Sequence, residues 1–418
     1  MGTQRTVFHI DVNSAFLSWE AVYRLQHGES LDLRTIPAVV GGNEKNRHGI
    51  VLAKSIPAKK YHIQTGESLY AARIKCPGLV IVPPRYGIYM KCSNAMLDIL
   101  REYSPEVQRF SVDECFLEFT SMEKIFGDPV TTANIIKNRI KRELGFTVNI
   151  GVSVNKLLAK MAGELSKPDK VHTLYPDEIP EKMWPLPVED LFMVGRATAP
   201  KLHALGIKTI GDLAKYSVKN LKLKLKSHGL LIWQYANGLE SSEVRNIPMD
   251  IKGIGNATTT KYDVDDQRTA EMVLLSLTET VASRLRKAGC CCSLVAIGIK
   301  DANFRYCSHQ KKLYTPVNST QRIFSVAKLL FKELWREQPL RLLSVRVSDL
   351  SADKNMQLSI FHDAEQEQKM RALDGAVDNI RLQFGSRAIM RATFLHSGIN
   401  PLSGGVGEEE YPIMSSIF

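Results

Sequence analysis

Three carboxylates set in two apolar runs constrain this chain more than any other feature. Asp11 interrupts the strand-like run TVFHIDV, and Asp113 and Glu114 stand side by side inside FSVDECFLEF. Runs of Val, Ile, Phe and Leu lie against a core, where an unpaired carboxylate is costly. The acids therefore sit at an exposed bend or against something strongly positive. If the two strands are neighbours in one sheet, all three acids converge. Such a cluster of hard oxygen ligands suits Mg²⁺, with room left for water and phosphates. Two such ions can hold an attacking hydroxyl and a leaving pyrophosphate in line. Asp113 and Glu114 would face opposite sides of a regular strand, so a bend or bulge is expected at the pair.

The rest of the chain narrows the setting. At 418 residues it is too long for one core, and two to four domains are expected. A net charge of +11 and a pI of about 9.2 suggest a polyanionic partner, nucleic acid ahead of an anionic membrane. No apolar run approaches the ~18 residues that span a bilayer. The N-terminal apolar stretch is broken by Asp11 and reads as no signal peptide. Seven cysteines without a C-x-x-C pair fit a reducing cytoplasm and argue against structural zinc.

Up to about residue 170, strand-like and helix-like segments alternate, suggesting an α/β layer on a mixed sheet. Strands are read at TVFHIDV, IPAVVGG, GIVLAKS, LVIVPP and TVNIGVSV, and helices at SAFLSWEAVYRL, YMKCSNAMLDILREYSP, TTANIIKNRIKRELG and NKLLAKMAGELSKP. From 171 to 241 strand signals fade, and VGRATAPKLHALGIKTIGDLA has the rhythm of a helix-hairpin-helix. LKLKLKSHGLL alternates like a strand, although its neighbours are helical. The polar stretch 240–256 reads as a linker. Beyond it, two helices and three strands form a small α+β module, followed by a helix and a loose tail.

The motifs HIDVNSAF (9–16), SVDECF (111–116) and NKLLAKMAGELSKP (155–168), with the hairpin region near 195–207, resemble the Y-family (translesion) DNA polymerases, of the bacterial polymerase IV and polymerase V catalytic-subunit type. The resemblance implies an α+β multidomain, right-hand fold. Its parts would be a mixed-sheet palm (1–15 and 82–170), small fingers (16–81) and a helical thumb (171–241). A linker (242–252), an α+β little finger domain (253–362) and a C-terminal helix and tail (363–418) complete it. Asp11, Asp113 and Glu114 match the metal ligands for two Mg²⁺ ions, with the Val12 carbonyl as an extra oxygen. Phe16 matches the steric gate, an aromatic ring that leaves no room for a 2′-hydroxyl. Asn13, Ser14 and Ala15 stand where backbone amides reach the triphosphate, and Lys167 matches a lysine that contacts it.

Two departures stand out. Where many relatives carry Tyr and Arg against the triphosphate, this chain has Ile56 and Lys59, and Lys lacks the bidentate fork of Arg. Where relatives often show Gly-x-Gly in the thumb hairpin, it has Met193, Val194, Gly195, keeping one tight approach to a DNA phosphate at Gly195. In the little finger, period 2 puts Arg305, His309 and Lys311 on one face of a strand. Arg346 alternates against Leu343, Val345 and Val347. Together they suggest a basic sheet face, opposite the helices, that binds duplex backbone. Gln357, Leu358, Ser359, Ile360 and Phe361 (QLSIF) resemble the peptide by which bacterial replication proteins bind the sliding clamp.

The expected function is template-directed, error-prone translesion synthesis without proofreading. The enzyme would be cytoplasmic and monomeric, acting on primer-template DNA and deoxyribonucleoside triphosphates. A catalytically inactive DNA-binding scaffold of the same fold is the main alternative, and the intact carboxylates speak against it. A nucleotide cyclase on a similar palm would need no thumb, no basic little finger and no clamp peptide.

Overall fold

The computed structural model describes residues 5–44, 47, 49–246, 251–353 and 364–399. They separate into two compact units. One holds the described residues up to 42 and from 50 to 246, the other those beyond 250 with those of 43–49.

The strands of the first unit are β1 (Val7–Val12), β2 (Ala38–Gly41), β3 (Val51–Lys54), β4 (Val80–Val82), β5 (Val107–Arg109), β6 (Glu114–Glu118), β7 (Val148–Ser153) and β8 (Val171–Thr173). Its helices are α1 (Ala15–Gln26), α2 (Ile56–Lys59), α3 (Leu69–Lys75), α4 (Tyr86–Arg101), α5 (Glu123–Phe126), α6 (Pro129–Leu144), α7 (Lys156–Glu164), α8 (Ala199–His203), α9 (Ile210–Lys215) and α10 (Val218–Ala236).

The larger sheet runs β5-β6-β1-β7-β8, with β1 antiparallel to both of its neighbours. Alternation sends Phe8, Ile10 and Val12 into the main core with Tyr89, Met96 and Ile136 of α4 and α6. Val7, His9 and Asp11 take the other face, where Val7 meets Ala159 of α7. α7 lies so close that a Cβ at Gly151 would stand 1.9 Å from the Ala159 carbonyl oxygen, so β7 requires glycine there. Asn155 caps α7 by accepting from the Leu158 amide, and also donates to the Gly238 carbonyl.

The smaller sheet, β3-β2-β4, carries α2 and α3, capped by Ser55 and Ser68. The predicted hairpin region forms α8 and α9 around Leu202, Ile207, Ile210 and Leu213. LKLKL is helical despite its alternation, and the helix kinks at Lys226, where φ is 56°. Leu221 and Leu225, one turn apart, pack on that core, while Leu223 is left 75% exposed. The first half of the expected linker is no loose tether. Val244 is buried against Val7 and Phe116, the Lys156 amine donates to the Glu243 carbonyl, and Arg5 donates to the Ser242 carbonyl.

The second unit contains β9 (Gly253–Val264), α11 (Gln267–Lys287), β10 (Cys290–Asp301), β11 (Tyr306–Val317), α12 (Thr320–Leu334), β12 (Leu340–Ala352) and α13 (Ala364–Phe384). Its sheet is antiparallel throughout, in the order β11-β10-β12-β9. β9 is a strand that the sequence reading missed. GIGNATTT looks like a loop because Gly and Asn disfavour strands, but pairing with β12 overrides that preference. α13 joins this unit through ion pairs, Arg286 to Asp378 at 2.6 Å and buried Glu279 to Arg381 at 3.0 Å, and Arg391, beyond the helix, adds a second bond to Glu279 at 2.9 Å.

Candidate active site

The acids of the first unit are brought together as their strands require. Asp11 and Glu114 are direct partners in the β1–β6 ladder, so their side chains share the α7 face. Asp113 lies in the expected bend at 111–113, just before β6, and its carbonyl accepts from the Val12 amide at 3.1 Å. The pair is not an exposed turn, since both acids are mostly shielded from solvent.

Each acid has a donor from this chain. Lys167 Nζ is 2.6 Å from Asp11 Oδ2, and Lys160 Nζ is 2.7 Å from Glu114 Oε2. The Ser111 hydroxyl donates to Asp113 Oδ1. Burial pushes the pKa values of Asp11 and Asp113 up, opposed by Lys167 at the first and Ser111 at the second. Burial also works against ionisation of Glu114, but His9 and Lys160 outweigh it and hold the carboxyl at about 2. His9 itself is fully buried, which lowers its pKa, and its Nε2 lies 3.5 Å from Glu114 Oε2. Lysines thus supply permanent charge beside Asp11 and Glu114, and the His9 imidazole lies against Glu114.

A cavity of about 500 Å³ opens over Asp11 and Asp113, and it is also lined by Asn13 to Phe16, Ile56, Lys59 and Lys167. Ser14 holds a left-handed backbone (φ 51°) at the start of α1, and no side chain caps that helix. The first-turn amides of α1 therefore face the cavity with their positive dipole end. The Phe16 ring stacks on Tyr89 at 4.7 Å and 13°, which fixes its plane. Ile56 and Lys59 occupy the two ends of α2, both on the cavity wall.

Four residues near this site escaped the sequence reading. Lys54 and Arg34 line the cavity; Arg34 is fixed by Asp32 and donates to the Gly145 carbonyl at 2.7 Å. His9 and Lys160 stand behind Glu114. Lys160 had a signal, because it falls one helical turn after Lys156 in the NKLLAK run. Among the described residues no group of three His, Cys, Asp or Glu side chains is already gathered as a ligand cage. Lys167 and Lys160 take one oxygen each of Asp11 and Glu114. The donor set, three carboxylates and no sulfur or imidazole in contact range of all of them, fits a hard divalent cation.

Family models match three segments: impB/mucB/samB family over 10–164, the IMS family HHH motif over 176–207, and the impB/mucB/samB C-terminal domain over 251–360. A protein of Clostridium acetobutylicum named DNA polymerase IV is 49% identical over 391 residues, covering 94% of this chain and 98% of that protein. The Bacillus subtilis protein named DNA polymerase IV 2 is 34% identical, covering 94% and 96%. The chain belongs to the Y-family DNA polymerases. A solved Y-family DNA polymerase chimera, Dbh-Dpo4(243-245)-Dbh, shares the fold with a TM-score of 0.71 at 23% identity, covering 83% of this chain and 99% of that one.

Within this Y-family fold the hairpin and sheet residues can now be located. Met193 adopts φ 76°, the left-handed backbone that its missing glycine would have taken, and Gly195 has open space around it. In the C-terminal sheet, register corrects the sequence reading. His309 pairs with buried Ile297, and Lys311 with buried Val295, so both lie on the helix face of edge strand β11. His309 accordingly meets Glu333 of α12 at 3.1 Å. Arg305 precedes the strand, in the hairpin closed by its own amide donating to Asp301. Only Arg346 faces the open side, lying over β9, where a Cβ on Gly255 would stand 3.2 Å from its Cβ. The peptide 357–361 lies outside the described residues.

Proposed function

We propose that this chain performs template-directed, error-prone synthesis of DNA across damaged templates, without proofreading, as a monomer in the cytoplasm. The observation that carries the reading is the pairing of Asp11 with Glu114 across β1 and β6, with Asp113 beside them at the mouth of the cavity. Asp11, Asp113, Glu114 and the Val12 carbonyl would hold two Mg²⁺, which when bound supply charge stabilisation for the attacking and leaving oxygens.

The chain's own residues do the rest. The uncapped amides at Ser14 and Ala15, with Asn13, receive the anionic triphosphate, and Lys59 and Lys167 add charge around it. Phe16, held by Tyr89, closes the space that a 2′-hydroxyl would need. At Ile56 the wall is aliphatic and 48% exposed, so it grips the nucleotide weakly. Gly195 and the left-handed Met193 let the thumb hairpin approach a DNA phosphate, and Arg346 contacts the backbone from the open sheet. QLSIF at 357–361 supplies a contact to the sliding clamp.

Primer extension by the full chain with Mg²⁺ tests this reading, with Asp113→Ala beside it. Deoxyribonucleotide addition directed by the template, and reduced by about 10³-fold or more in the variant, is the expected outcome. Tight primer-template binding with no addition, even with a sliding clamp present, would favour the scaffold.

A further inference from the structure

Lys160 sits at the meeting point of the carboxylate site and the thumb. Its ammonium is 2.7 Å from Glu114 Oε2, 5.3 Å from the centre of the Phe110 ring and 5.5 Å from that of Phe192. Phe110 immediately precedes the bend that carries Asp113, and its amide donates to the Glu114 carbonyl at 2.9 Å. Phe192 immediately precedes Met193 of the thumb hairpin and stacks on Tyr235 of α10 at 6.3 Å and 16°. The space left between these groups is about 20 Å³, room for one water at most.

Two aromatic faces thus desolvate the ammonium and direct its charge toward one oxygen. Without Lys160, Glu114 would keep its burial and its neighbour Asp11 but lose its cation. A buried carboxylate without a partner is costly, so its side chain swings toward solvent. Without the Phe192 ring, the ammonium loses one of the walls that confine it.

We infer that Lys160 is a positioning residue through which the thumb hairpin sets the metal-binding competence of Glu114. The inference rests on the reading of Glu114 as a metal ligand and of the hairpin as a DNA contact. Phe192, adjoining the loop that approaches the DNA phosphate, holds Lys160, and Lys160 holds Glu114. The two side chains act in series, so their effects on metal affinity are not independent.

The test is Mn²⁺ affinity, read from the spin-resonance signal of free Mn²⁺. The sample is the full chain bound to a dideoxy-terminated primer-template and a matched nucleoside triphosphate. Lys160→Met is expected to weaken Mn²⁺ binding about tenfold, and Phe192→Leu about threefold. In a double-mutant cycle, Phe192→Leu adds nothing once Lys160 is Met, and Lys160→Arg retains affinity within about threefold. Unchanged Mn²⁺ affinity in Lys160→Met, or full additivity in the cycle, overturns the inference. If Lys160→Met does not fold, the cycle is run with Lys160→Gln and Phe192→Leu, and additive losses overturn it equally. Failure of the polymerase reading looks different: the wild type would extend no primer, whereas the Mn²⁺ cycle needs no turnover.

Discussion

The two units use charge in opposite ways. In the first, Asp11 and Glu114 are buried beneath α7 and each is tied to a lysine within 2.7 Å. In the second, Arg346 stands on the open sheet face beside small residues, Gly255, Ala296, Ser344 and Ser348, and Lys312 of β11 shares that face. Burial makes an unpaired charge expensive, so every atom of the first arrangement is specified. Exposure makes charge cheap and interchangeable, which suits the proposed role of this face in meeting DNA backbone of any sequence.

Acid titration of stability probes the buried side of this contrast and carries the largest expected effect. Glu114 is held at about 2 against its ordinary 4.5, a difference worth up to about 3 kcal/mol. Because its folded pKa is depressed, that stability is complete above about pH 4.5 and is lost as the pH falls toward 2. Asp11 and Asp113 are shifted upward by burial, so their protonation on acidification recovers stability and masks part of the loss. Urea unfolding of the wild type and Glu114→Gln between pH 7 and 3 isolates the Glu114 contribution. The wild type should lose more stability than the variant, and parallel curves would show that Lys160 and His9 do not hold the carboxylate.

The steric gate proposed at Phe16 gives a somewhat smaller effect. Phe16→Ala removes the ring that Tyr89 holds in place, and the preference for deoxyribonucleotides should fall about 100-fold in the ratio of kcat/KM values. A variant that still rejects ribonucleotides would assign the exclusion to another wall of the cavity.

The smallest effects belong to the exposed sheet. Arg346→Ala should weaken primer-template binding a few-fold and reduce the slope of log Kd against log salt by about one. His309→Ala and Lys311→Ala, changes on the helix face, should leave the slope within about 0.3 of the wild type. If all three variants shift the slope equally, DNA is bound from both faces of the sheet, and the contrast between the units is less sharp than the register implies.

The sequence was most legible where burial leaves least freedom. Three acids in apolar strands imply a shared, neutralised site, and the ladder places two of them in direct register. It was least legible where a local pattern could be overridden. Alternating LKLKL is helical because Leu221 and Leu225 find a core one turn apart, and GIGNATTT is a strand because β12 supplies its partner. His309 and Lys311 were assigned to a face by spacing alone, but spacing cannot say which face the helices cover.

The residues by themselves determined that three carboxylates stand in apolar runs and that the chain is basic; the triphosphate and sugar roles of residues 13–16 came from the family resemblance. These depend on side-chain type and order, which are written in the chain. Tertiary structure alone decided which cation neutralises which acid, that Lys160 lies between Glu114 and Phe192, and that Arg346 faces away from the helices while Lys311 does not. Those outcomes depend on which elements pack together, and packing joins residues that no local pattern connects.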